Sequence, residues 1–161
     1  MGTKALWAPW RMEYIRRPSG GGCFLCEILP AGNDRANLVL RRDPHAVLLM
    51  NRYPYNNGHL LVAPRRHVAD LGDLSPEERA AIMDLLDLGV QALRATVRPD
   101  GFNLGFNLGG AAGAGLESHL HGHIVPRWSG DTNFMPVLAD VKVVPQAMDE
   151  LWADLSAALA G

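Results

Sequence analysis

The apolar positions of this chain fall into short extended runs and two longer helical ones. His45 to Met50 is rich in Val and Leu and predicts a strand, and Gly58 to Ala63 predicts a second. The turn-forming stretch Pro54-Tyr55-Asn56-Asn57-Gly58 lies between them, so the two are expected to pair as a hairpin with a long loop. The clearest element is a helix from Pro76 to Val97. There Ile82, Leu85, Leu86, Val90, Leu93 and Val97 recur at helical spacing and form one apolar face. Ser75 and Glu78 fit a capping box, in which each satisfies a backbone N–H that the first turn leaves open. Pro76 sits at the first helical position, where its missing N–H costs nothing. Arg98-Pro99-Asp100-Gly101 ends the helix. A strand is expected from Phe102 to Leu108, then a Gly/Ala loop, then another strand from His119 to Arg127. Pro145 opens a final amphipathic helix with Met148, Leu151, Trp152, Leu155 and Leu159 on one side. Residues 1–22 read as an irregular arm with aromatic anchors at Trp7, Trp10 and Tyr14 and a Ser19-Gly20-Gly21-Gly22 hinge. Such an arm suits packing on the domain body or on a partner subunit, and a partly ordered tail is the alternative reading. No internal repeat is visible, and residues 23–161 read as one domain.

Composition narrows the class. A chain of 161 residues is close to one domain and long enough to bury its own core. Apolar residues make up 48% and charged residues 20%, which excludes a disordered chain. The longest aliphatic run, Ala46 to Met50, is too short to span a bilayer. A net charge of −2 argues against a general nucleic-acid binder but leaves room for a small basic pocket holding an anion. Trp7-Ala8-Pro9-Trp10 interrupts the region where a secretory signal needs an apolar stretch. Leu6 stands where a myristoylation signal needs Ser or Thr. The expected location is the cytoplasm. In that reducing setting the Cys23-x-x-Cys26 pair reads as metal binding or redox chemistry rather than a structural disulfide.

The chemistry concentrates in His119-Leu120-His121-Gly122-His123-Ile124-Val125. On a strand the three histidines would share one face, with Leu120 and Ile124 on the packed side. A lone histidine is often structural, but three imidazoles in a row suit core filling poorly. Two chemistries suit the row. Neutral imidazole is a common zinc ligand, although a cupin-like site also wants a nearby carboxylate, and the next acidic residue is Asp131. Alternatively, one histidine attacks phosphorus while the next donates to its anionic oxygens. A pKa near 6.5 leaves an unprotonated nitrogen for that purpose at neutral pH. The preceding Gly109-Gly110-Ala111-Ala112-Gly113-Ala114-Gly115 favours phosphate, because so bare a loop lets backbone N–H groups close around an anion.

Residues 119–125 resemble the signature of the histidine triad nucleotide hydrolases and transferases, His-φ-His-φ-His-φ-φ with φ apolar, except that Gly122 replaces an apolar residue. Asn51, Pro54, Gly58-His59-Leu60-Leu61-Val62, Pro64 and Asp73-Leu74-Ser75 match that family in order and spacing. The resemblance thus covers most of residues 23–128. Trp7 to Met12 and Pro126-Arg127-Trp128-Ser129-Gly130-Asp131 are similar to the branch acting on dinucleoside polyphosphates. That branch includes the fragile-histidine-triad hydrolases and the bacterial diadenosine tetraphosphate phosphorylases. The resemblance implies an α+β fold with a five-stranded antiparallel sheet and two main helices, paired as a homodimer. It implies His121 as the nucleophile, His123 as the contact to phosphate and leaving group, and His59 as the partner that orients them. Asn51 would hold the ribose, with Leu49 and Leu61 near the base. Asn107 and the backbone of Gly113, Ala114, Gly115 and Leu116 would line the phosphates. The implied partners are adenine nucleotides and dinucleoside polyphosphates, with Mg²⁺ arriving on the substrate, and neither nucleic acid nor membrane.

Cys23, Cys26, His67 and His119 make two thiolates and two imidazoles, a set that structural zinc favours and that matches the zinc ligands of some family members. The other reading is two reduced thiols with His67 simply exposed. One departure bears on the reaction. Where the hydrolase branch has Gln and the phosphorylase-like branch has Ser after Gly, this chain has Ala114-Gly115. Water and phosphate therefore both stay open as acceptors. A purine nucleoside phosphoramidase, a nucleotide sensor with little turnover and a catalytic metal centre are the competing readings.

Overall fold

The computed structural model describes residues 22–30, 32–131 and 146–160. The arm over residues 1–21 and Pro145 lie outside the described residues. In chain order the elements begin with α1 (Phe24–Ile28), β1 (Val39–Arg42), β2 (Ala46–Met50) and β3 (Leu60–Pro64). A 3-10 turn (Leu71–Asp73), α2 (Pro76–Thr96), β4 (Gly101–Phe106) and a second 3-10 turn (Gly110–Ala112) follow, then β5 (Gly122–Arg127) and α3 (Met148–Ala160). The strands form one sheet in the order β1-β2-β3-β5-β4, every neighbouring pair antiparallel. Among the described residues no helix is long and apolar enough to cross a membrane.

Both faces of the central strands are covered, which is why β2 and β3 are buried at every position and read as unbroken apolar runs. Side chains alternate between the faces. Leu48, Met50, Leu60, Val62 and Ile124 pack under α2 and α3, against Ile82, Leu85, Leu93, Leu151 and Leu155. Val47, Leu49, Leu61 and Ala63 form a second cluster on the other face with Leu25 of α1 and Leu29 at its C-cap. Gly89 lets α2 approach the sheet closely: a Cβ there would lie 2.6 Å from Ile124 Cδ1. The expected capping box is present. Ser75 Oγ accepts from the Glu78 N–H at 3.2 Å and Glu78 Oε2 accepts from the Ser75 N–H at 2.8 Å. α3 is tied to the sheet edge by Trp152, whose Nε1 donates to the Val39 carbonyl at 3.0 Å.

Several expected boundaries move. The hairpin strands begin at Ala46 and Leu60, and β4 ends at Phe106 rather than Leu108. The last strand begins at Gly122, not His119, so two of the three triad histidines precede it. They lie there because the Leu120 N–H pairs with Val68 O, in the loop beyond β3, instead of joining the sheet. α1 and β1 carry no periodic signal in the sequence, since one has 5 residues and the other 4. At Gly122 a Cβ would meet the Phe106 ring at 2.9 Å, so the ring of the neighbouring strand fills the space.

Candidate active site

β5 presents its second residue, His123, directly between Leu61 of β3 and Gly105 of β4. His123 therefore lies on the α1 face of the sheet. His121, one step before the strand, follows the same alternation, and the two rings stand 5.0 Å apart in an edge-on arrangement. His59, just before β3, brings its ring within 5.2 Å of His123. All three side chains are buried, so hydrogen bonds, not solvent, decide where their protons sit.

Those bonds can be read one by one. His121 Nδ1 lies 2.9 Å from the His119 carbonyl, which only accepts. The proton is therefore on Nδ1, and Nε2 carries a lone pair. Burial also lowers the His121 pKa, while the bond to His119 acts against that, so the ring is neutral near pH 7. The backbone N–H of Tyr55 donates to His59 Nδ1 at 3.0 Å, and Asn51 Nδ2 lies 3.2 Å from the same atom. The His59 proton is consequently on Nε2, which donates to His123 Nδ1 at 3.0 Å. His123 must then carry its own proton on Nε2, and that buried atom has no hydrogen-bond partner among the described residues. Burial first, and then the neighbouring His121, bring the His123 pKa down to about 4. The result is a lone pair on one imidazole beside a donor on the next, with water largely excluded.

The third triad histidine faces elsewhere. His119 Nε2 donates to the Pro64 carbonyl at 2.9 Å, which leaves the Nδ1 lone pair directed at Cys23 Sγ, 3.2 Å away, and Cys26 Sγ, 3.5 Å away. His67 Nδ1 lies 3.2 Å from Cys26 Sγ. One ligand atom from each of the four residues falls within 4.8 Å of all the others. Two sulfurs and two imidazole nitrogens suit a tetrahedral cation such as zinc. Burial and the adjacent Cys23 push the Cys26 thiol up, a strain that a bound cation would relieve. The reading of His67 as simply exposed is not supported: it is exposed to solvent but aimed at the cluster.

Of the remaining expected site residues, Leu49 and Leu61 are buried together in the α1-face cluster, and Leu116 packs against it. Asn51 bonds inward, accepting from the Tyr53 N–H at 2.9 Å as well as reaching His59. Asn107 follows β4, half-buried. Gly109 and Gly113 adopt positive φ of 77° and 85°, so the bare loop turns tightly around Gly110–Ala112. The N–H groups of Ala112, Gly113 and Ala114 turn onto the loop's own Gly109 and Gly110 carbonyls.

Two features carry no signal in the sequence. Tyr55 lies in a stretch that signals only a turn, yet its ring stacks on His123. Arg66, beside His67, makes a paired bond to buried Glu78, Nε to Oε1 at 2.7 Å and Nη2 to Oε2 at 2.6 Å. This bond joins the loop carrying His67 of the Cys/His cluster to the first turn of α2.

A family model described as HIT domain matches residues 33–130. An AP-4-A phosphorylase of Mycobacterium tuberculosis is 39% identical over 151 residues, covering 89% of this chain and 77% of that protein. The crystal structure of a Zn-bound histidine triad family protein from Mycobacterium smegmatis superposes with a TM-score of 0.68 at 28% identity. It covers 86% of this chain and 94% of its own. A hypothetical histidine triad nucleotide-binding protein from Sulfolobus tokodaii shares the fold, with a TM-score of 0.67 at 23% identity over 86% of this chain and 92% of its own. With the matched segment spanning all five strands and the histidine pair, the chain belongs to the HIT, or histidine triad, family.

Proposed function

We propose that the protein cleaves dinucleoside polyphosphates of the diadenosine tetraphosphate type, passing an adenylyl group through His121 to inorganic phosphate. The observation that carries this reading is the proton arrangement of the pair: a lone pair on His121 Nε2 beside a proton-bearing His123 Nε2. The likeness to an AP-4-A phosphorylase supports both the substrate class and phosphate as the acceptor.

In the first step His121 Nε2 bonds to the α-phosphorus while the bond to the bridging oxygen breaks. ATP leaves with that oxygen, and AMP stays on His121. In the second step a phosphate oxygen bonds to the phosphorus, the P–N bond breaks, ADP leaves and Nε2 regains its lone pair. His123 donates to the phosphoryl oxygens as charge shifts onto them, and His59 holds His123 in the donating form. Asn51 is assigned to the ribose, Leu49 and Leu61 to the base, and Asn107 with the backbone of Gly113 to Leu116 to the phosphates.

Cys23, Cys26, His67 and His119 are assigned to Zn²⁺, which as a closed four-ligand centre would brace the fold rather than act on substrate. Mg²⁺ accompanies the polyphosphate. We read residues 23–161 as one domain behind an N-terminal arm, working in the cytoplasm as a homodimer. β4, at the edge of the sheet with Leu104 half-exposed, supports pairing with a second copy.

The second reading, water as acceptor, stays open because Ala114-Gly115 offers no side chain to position either acceptor. Product analysis of diadenosine tetraphosphate with and without inorganic phosphate tests both. ADP plus ATP, appearing only with phosphate, is the expected result. AMP plus ATP in both conditions would make the protein a hydrolase. No cleavage in either would defeat the proposal in favour of a phosphoramidase or a nucleotide sensor.

A further inference from the structure

The geometry points to Tyr55 as a positioning residue for His123, acting through its ring and through its backbone. The Tyr55 ring lies nearly parallel to the His123 imidazole, with centroids 5.7 Å apart and planes inclined by 17°. It also touches His59, with centroids 4.6 Å apart. The Tyr55 N–H supplies the bond to His59 Nδ1 that sets the direction of every proton downstream.

The ring contact has work to do because the bond from His59 restrains only one atom of His123. One hydrogen bond at Nδ1 is a soft restraint, and a pivot about the Cβ–Cγ bond that stretches it swings Nε2 away from the phosphorus. His121 meets His123 edge-on, with planes inclined by 62°, and so does not hold its plane flat. The parallel tyrosine face does. Misplacement of a reacting group by about 1 Å costs on the order of 100-fold in rate. A partial loosening is expected to lower kcat about tenfold. The role needs a flat ring, not the phenol oxygen.

This inference rests on the transfer reaction proposed above, and one experiment separates the two. Wild type, Tyr55→Phe and Tyr55→Ala are compared on diadenosine tetraphosphate with phosphate. The histidine-ring ¹⁵N–¹H spectrum of each is recorded without substrate. The expected result is wild-type kcat for Tyr55→Phe, and a kcat about tenfold lower with KM within about twofold for Tyr55→Ala. The His123 Nε2–H signal should be sharp in the first two proteins and broadened in the third. Tyr55→Leu keeps the bulk without the flat face and takes the place of Tyr55→Ala if that variant melts early. Undiminished kcat in Tyr55→Ala overturns the inference. So does a rise in KM at constant kcat, which would make the ring a substrate contact, and so does an equal loss in Tyr55→Phe. If the wild type shows no turnover the transfer reading falls, while an unchanged His123 signal in Tyr55→Ala would independently overturn the role of Tyr55.

Discussion

His121 and His123 are the same residue type two positions apart, yet their tertiary partners give them opposite tasks. The His119 carbonyl makes His121 an acceptor at Nε2, and His59 makes His123 a donor at Nε2. In the proposed reaction His121 Nε2 is the nitrogen that carries the adenylyl group. His121→Ala is therefore expected to lower turnover at least about 1000-fold while AMP still binds, as titration calorimetry would show. Loss of both turnover and binding would instead place His121 in nucleotide recognition. The triad was legible from its period-two spacing against Leu120 and Ile124. The proton positions were not, because each depends on a partner that lies close only after folding: His59 is 64 residues from His123 in sequence. The contact of Tyr55 with His123 likewise forms only on folding.

At the scale of elements, α2 does more than cover the sheet. Its capping Glu78 is buried and accepts from Arg66 and from the Ser75 N–H, so the cap and the His67 loop share one carboxylate. The bonds from Arg66 hold the Glu78 carboxyl down to about 2. Glu78→Gln keeps the shape but loses the charge. It is expected to destabilise the fold by about 1–3 kcal/mol in chemical denaturation and to weaken metal retention against a chelator. Gly122→Val drives a side chain into the Phe106 ring and is expected to cost about 1–3 kcal/mol in the same assay. The long helix, its cap and the hairpin could all be read from local pattern. α1 and β1 could not, since such short segments owe their conformation to packing. Leu25 and Val39 are both fully buried in the cluster that forms only when the sheet assembles.

Across the whole molecule, His119 links two centres. Its side chain faces the thiols and its carbonyl holds His121. Stripping the proposed zinc from the purified protein is accordingly expected to lower both the melting temperature and kcat, with zinc content followed by mass spectrometry. A lower melting temperature with unchanged kcat would show that the two centres are uncoupled. Acid should act on the fold in two windows. His123 has a folded pKa of about 4 against an ordinary value of 6.5, so the unfolded chain binds more protons between those limits. Stability is complete above about pH 6.5 and falls by roughly 3 kcal/mol as pH approaches 4. Glu78, depressed from 4.5 to about 2, adds a further loss between those values. Denaturation across pH would show the lower window disappear in Glu78→Gln while the upper one stays.

Sequence alone determined the main helix with its cap, the paired strands and the cluster of chemistry at residues 119–123, because each is written in nearest-neighbour spacing, while the fold class followed from the family resemblance that the triad and its flanking motifs carry. It also supplied the four candidate metal ligands as residue types. Only the tertiary structure decided that His119 turns to the thiols while His121 and His123 face each other, and which nitrogen of each ring is protonated. Those outcomes depend on strand register and on carbonyls and amides from distant segments. Such partners become neighbours only once the sheet has closed around them.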